Sequence, residues 1–194
     1  MDNNHKMWSD LGMNLELHDQ LCEVLPQAFG DVFLSQENRP EGMDYYNMVV
    51  ADIHGIRPAE LIEHQNKGGK VFGTFCVYVP DEVIFAADAI ATGLCGGSQF
   101  WVPGGEKVLP TNTCPLIKAS VGARLDRTCP FFRIADMYIG ETTCDGKKKA
   151  WEILSEDVPV YVMDLPQMKR AKDVKAWAEE IEALKEKVEE FTGN

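Results

Sequence analysis

The sequence predicts an α/β fold with a mostly parallel sheet and helices on both faces, and three observations predict it. From Lys70 onward, short apolar runs alternate with helical stretches of about ten residues. The run Val158–Met163 is almost continuously apolar, as a strand covered on both faces must be. A Gly/Pro-rich stretch from Gly96 to Pro110 interrupts the alternation without joining it.

The elements follow in order. In the first third, Leu17, Leu21, Val24 and Leu25 recur at helical spacing, and Tyr45–Ile53 resumes the pattern after the break at Pro40–Glu41–Gly42. A further helix starts at Pro58, a favourable first-turn residue, and stops before Gly68–Gly69. Residues 1–69 therefore read as a helical N-terminal cap, and residues 70–194 as one compact α/β unit. Strands are expected at Val71–Phe75, Thr92–Cys95, Ile134–Ile139 and Val158–Met163. Helices are expected from Pro80 to Ile90, over 115–127 and over Asp145–Leu154. In the tail, Val174, Trp177, Ile181, Leu184, Val188 and Phe191 repeat at three and four, a long C-terminal helix whose stripe is expected to dock on its own domain or a neighbouring one rather than form a short coiled-coil seam.

Composition narrows the function. Of 194 residues, 45% are hydrophobic and 26% charged, with a formal net charge of −12. So acidic a body lacks the basic surface that nucleic acid requires. The longest apolar run of the α/β unit's start, Val71–Val79, is too short to span a bilayer, and Met1–Asp10 has no signal-peptide pattern. The expectation is a cytoplasmic protein with reduced thiols, touching neither membrane nor nucleic acid.

Six cysteines then carry the chemistry: Cys22, Cys76, Cys95, Cys114, Cys129 and Cys144. None forms a CxxC pair and none has histidines at zinc-finger spacing. Taken singly, each reads as a small buried hydrophobe. Taken together they fall in telling places. Cys76 directly follows the first expected strand, Cys95 ends the second, Cys144 precedes a helix, and Cys114–Pro115 and Cys129–Pro130 put cysteine where a helix N-cap belongs. In an open α/β sheet ligands gather beyond the carboxyl ends of strands, where helix N-termini stabilise thiolates. Five cysteines are thus expected on one rim, and soft thiolates without ligand histidines suit iron–sulfur. His18 and Cys22, one helical turn apart, read more readily as a packed pair than as metal ligands. Lys147–Lys148–Lys149 reads as a solvated face, or as an offset to negative charge near Cys144. The glycines at Gly93–Gly97 and Gly104–Gly105 lack a phosphate-loop pattern.

Three blocks add a resemblance. Gly73-Thr74-Phe75-Cys76-Val77-Tyr78-Val79-Pro80-Asp81-Glu82, followed by Leu94-Cys95-Gly96-Gly97, resembles the opening signature of the 2-hydroxyacyl-CoA dehydratase and benzoyl-CoA reductase family. Leu109-Pro110-Thr111-Asn112-Thr113-Cys114-Pro115-Leu116-Ile117-Lys118 is similar to its second block. Gly140-Glu141-Thr142-Thr143-Cys144-Asp145-Gly146-Lys147-Lys148-Lys149, with Val162-Met163-Asp164-Leu165-Pro166-Gln167, resembles its third. The resemblance implies an iron–sulfur cluster held by Cys76, Cys114 and Cys144, fed with low-potential electrons by an ATP-dependent iron–sulfur activator protein. In the dehydratases that electron makes a ketyl radical from a 2-hydroxyacyl-CoA and the hydroxyl is expelled. Cys95 and Cys129 exceed a three-thiolate 4Fe-4S site and point to the double-cubane (8Fe-9S) branch, whose members resemble ATP-driven reductases of small molecules or electron carriers. The resemblance also implies a second α/β domain or subunit, which this chain does not carry. A metal-free remnant with merely packed cysteines is the remaining reading. No catalytic acid or base is assigned.

Overall fold

Four short strands build the sheet: β1 (Val71–Thr74), β2 (Ile90–Gly93), β3 (Met137–Glu141) and β4 (Val160–Met163). The computed structural model describes residues 3–94 and 96–194. All strands are parallel, in the order β2-β1-β3-β4. Val71 pairs with Ile90, Phe72 with Met137 and Tyr138 with Val160. The chain moves outward from β1 to β2, then returns to the other side of β1 to lay down β3 and β4. The crevice between the carboxyl ends of β1 and β3 is therefore the topological switch point, where doubly wound sheets bind ligands.

Strand alternation divides the core in two. Phe72, Met137, Ile139 and Met163 point to one face and pack with Ile84, Leu184 and Val188. These come from α5 (Asp81–Ala86) and α10 (Ala171–Thr192). Val71 and Tyr138 point to the other face and join Ile117, Val121, Ala150, Trp151 and Leu154. Those belong to α7 (Pro115–Leu125) and α9 (Asp145–Leu154). Each fully buried side chain of this size contributes about 1.5–3 kcal/mol. The tail stripe docks on its own sheet, with Leu184 and Val188 buried.

The N-terminal third is helical: α1 (Asn3–Asp10), α2 (Leu15–Phe29), α3 (Met43–Ala51) and α4 (Ile56–Asn66). A π-helical turn, Gly30–Leu34, follows α2 shortly after Pro26, whose missing N–H weakens the α ladder there. Leu21 and Leu61 reach the second core. Between them Val32, Phe33, Tyr45, Tyr46 and Met48 remain exposed. No helix among the described residues is long and apolar enough to cross a membrane.

Most element boundaries shift by a residue or two from the sequence reading, and three regions differ more. The helix after β1 stops at Ala86, because Asp88 turns the chain with φ 54°, and β2 begins at Ile90 instead of Thr92. The Gly96–Pro110 stretch holds a 3₁₀ turn, Gln99–Trp101, and α6 (Val102–Gly105). The residues from Pro130 form a short helix, α8 (Pro130–Ile134), so β3 starts at Met137 and not at Ile134.

Candidate functional site

The switch point is furnished with thiols. Phe75 is buried beyond β1, and the next residue, Cys76, is exposed with φ 63°. A left-handed residue with a Cβ costs of order 1 kcal/mol, and such positions cluster at functional sites. Cys144 ends the β3 loop as N-cap of α9, and Cys114 is N-cap of α7 with Pro115 at the first helical position. Both are exposed, and neither thiol caps its helix by a side-chain hydrogen bond. Each thiol thus stands at a helix N-terminus without being spent on capping it.

Packing ties the three positions to one region. Cys76 shares a small apolar cavity of about 60 Å³ with Leu116, Ile117, Lys147 and Trp151, from the first turns of α7 and the body of α9. Gly146 packs closely there. A Cβ on it would meet Ile117 Cδ1 at 2.7 Å, with Thr113 Cγ2 at 3.9 Å and Cys144 Sγ at 4.0 Å. The residue before Cys114 and the sulfur of Cys144 therefore face the same spot. On its other side Cys76 borders an open groove of about 760 Å³, between the β1–α5 turn and α10. Asp81 lies in that groove, its carboxyl raised above the ordinary range by burial and by the adjacent Glu82.

The β3–α9 loop is held by a charged clamp that the sequence reading missed. Glu141 is fully buried at the end of β3, paired with Lys147 of α9, and accepts the Thr143 N–H at 2.8 Å. Its backbone carbonyl accepts the Trp151 indole N–H at 2.9 Å. Thr142 donates to Asp164 at 2.8 Å and accepts the Leu165 N–H at 2.9 Å, fastening the same loop to the end of β4. Lys147 is thus not part of a solvated face. The signal available in the sequence was the spacing of Glu141 and Lys147 across a strand-to-helix loop.

Cys129 is placed otherwise. It caps α8, yet only 7% of it is exposed, among the apolar residues of the second core. Burial pushes its thiol up to about 11, despite backbone N–H groups of Phe131 and Phe132 that favour the thiolate. The expected rim of five thus lacks an accessible Cys129. Cys95 lies outside the described residues, between Leu94, whose N–H bonds Thr74, and Gly96, packed on the backbone of Ala119 and Ser120.

Cys22 lies far along the chain from the rim cysteines, on α2 beside His18 and His54. Burial holds both imidazoles below their ordinary value, His54 to about 4 with the adjacent His18 adding to it, and raises the Cys22 thiol. The rim sulfurs, by contrast, do not all lie within 4.8 Å of one another.

Fold and site together define a doubly wound α/β protein with solvent-facing thiols at its switch point. Residues 76–194 match the profile of the family described as 2-hydroxyglutaryl-CoA dehydratase, D-component. Over 135 residues the chain is 40% identical to YjiM of Escherichia coli (strain K12), whose provisional description is a dehydratase subunit. The alignment covers 69% of this chain and 35% of that protein, so the chain spans about a third of the relative's length. The chain belongs to the 2-hydroxyglutaryl-CoA dehydratase D-component family.

Proposed function

We propose that this chain is the cluster-bearing part of a 2-hydroxyacyl-CoA dehydratase-family subunit, with Cys76, Cys114 and Cys144 as the thiolate ligands of a 4Fe-4S cluster. The observation that carries the reading is the placement of three exposed, uncommitted thiols at the ends of β1 and β3 and at the N-terminus of α7. A bound cluster would supply low-potential electron transfer and, at an iron without thiolate, Lewis acidity toward a substrate oxygen. The chain's own residues prepare the place. Cys76 lines the cavities on both sides of its left-handed turn, and the N-termini of α7 and α9 would offset the charge of the other two thiolates. Glu141 and Lys147 fix the height of Cys144 above the sheet. The groove beside Cys76, lined by Tyr78, Pro166 and Trp177, is where an acyl substrate would enter.

On this reading the protein is cytoplasmic, receives electrons from an ATP-dependent iron–sulfur activator, and works with a second domain or subunit that closes the crevice. Cys129 is left out of the ligand set because a thiolate in that apolar site would be stranded without solvent. The test is anaerobic reconstitution with iron and sulfide. The expected product is brown and holds about four irons and four sulfides per chain. Protein that stays colourless under reducing, oxygen-free conditions contradicts the reading.

A further inference from the structure

A second donor cluster lies in the N-terminal helices, away from the rim. His18 and Cys22 share one face of α2, four residues apart, and His54 arrives from the turn before α4. His18 Nε2 lies 2.9 Å from His54 Nδ1 and 3.6 Å from Cys22 Sγ, and one donor atom from each residue lies within 4.8 Å of the other two. A tetrahedral zinc site, with Zn–N near 2.0 Å and Zn–S near 2.3 Å, sets its ligand atoms roughly 3.3 Å apart for two nitrogens and 3.6 Å for nitrogen and sulfur. The Cys22–His18 sulfur–nitrogen spacing already fits, and the Cys22 sulfur and the His54 donor lie within 4.8 Å of each other. The two imidazoles need to part by only a few tenths of an ångström.

The surroundings hold these ligands in place. His18 is fully buried, and Trp8 packs edge-on against its ring at 4.2 Å between centroids. The Trp8 indole N–H donates to the backbone carbonyl of His54 at 2.7 Å. Phe131 covers the other side of the His54 ring at 6.2 Å. These contacts restrict the rings by packing and hold the His54 backbone beside α1.

The fold also supplies a reason for a fastening here. The chain between Cys22 and His54 leaves Val24, Val32, Phe33, Tyr45, Tyr46 and Met48 exposed. With so little apolar surface buried, that excursion has no core of its own to hold its two ends together. A cross-link at its base closes the loop and removes entropy from the opened state.

We propose that His18, Cys22 and His54 bind one zinc-class divalent ion, with water as the fourth ligand, and that this ion fastens α2 to the start of α4. The site differs from the rim thiols in chemistry, nuclearity and position. It stands independently of the cluster proposal.

The experiment uses the full chain carrying Cys76→Ser, Cys114→Ser and Cys144→Ser, so that the three proposed cluster ligands cannot contribute. The protein is stripped with chelator, kept reduced, and titrated with zinc and with cobalt(II). One zinc per chain is expected to survive desalting, and cobalt is expected to give the intense visible bands of a tetrahedral site with a thiolate-to-metal charge-transfer band. Zinc is also expected to slow proteolytic cleavage within residues 24–53. Adding Cys22→Ser or His54→Gln, each with unchanged far-UV dichroism, is expected to weaken binding by more than the 10–100-fold of an outer-shell change. Absence of retained zinc, or retention unchanged by both added substitutions, overturns the proposal and leaves a hydrogen-bonded histidine pair beside a packed thiol. The triple substitution removes the rim ligands beforehand, so failure of the cluster reading and failure of this one are distinguishable.

Discussion

The chain contains the dipeptide Cys-Pro twice, and the two copies have opposite fates. Cys114–Pro115 and Cys129–Pro130 each place cysteine at a helix N-cap with proline at the first helical position. Cys114 faces solvent at the switch point, whereas Cys129 is sealed among core residues with its thiol held neutral. Local sequence governs the cap, because proline's fixed φ and missing N–H are properties of one residue. Exposure depends on what the helix packs against. A cap supplies a dipole, and only an accessible cap supplies a ligand.

Three substitutions or reactions sharpen this contrast, the largest effect first. In the metal-free native chain, iodoacetamide is expected to label Cys114 at once. Cys129 is expected to react at least about a hundredfold more slowly than in urea, since burial both lifts its ionisation and blocks approach. Peptide mapping of the labelled chain reads this directly, and equal labelling of the two would erase the distinction.

Glu141→Gln removes the charge that pairs with Lys147 beneath the Cys144 loop. The expected loss is about 2 kcal/mol in chemical denaturation, less than for a fully buried pair because Lys147 keeps some exposure. An unchanged denaturation midpoint would show that the clamp contributes nothing.

Cys129→Ser buries a hydroxyl in an apolar site and is expected to cost about 1–3 kcal/mol, where Cys114→Ser without a cluster stays within about 0.5 kcal/mol. The same burial gives the wild type a pH signature. The folded thiol ionises near 11 and the unfolded thiol earlier, so the native state holds the extra proton between those values. Stability from this group therefore falls as pH rises from about 8.5 toward 11, and Cys129→Ala abolishes that part of the slope. Urea midpoints measured across the interval check both statements.

Much of the fold was legible in the sequence, for physical reasons specific to each part. The period change at Lys70 and the continuous apolarity of the strands reflect burial on both faces, and α10 announced itself through its stripe from Trp177 to Phe191. The ends of the strands were harder to read. Ile134 is apolar enough to pass for the start of a strand, but the Cys129–Pro130 cap opens a short helix that packs against α4 and α7 and takes Ile134 into it. At the site, Cys76, Cys114 and Cys144 were legible because strand ends and helix caps are local features. Glu141 with Lys147 left only a weak signal, their spacing across one loop, and His54 beside His18 left none, since that pairing depends on how separate elements meet. His54 joins an i, i+4 pair from 36 residues away, a distance that no periodicity encodes.

The central claim is that the exposed cap thiol binds iron and the buried one does not. Its most direct measurement is iron content after anaerobic reconstitution of Cys114→Ser and Cys129→Ser prepared side by side. The account predicts that Cys129→Ser keeps about four irons per chain, while Cys114→Ser loses most of them. Equal loss of iron from both variants, or loss confined to Cys129→Ser, would contradict it.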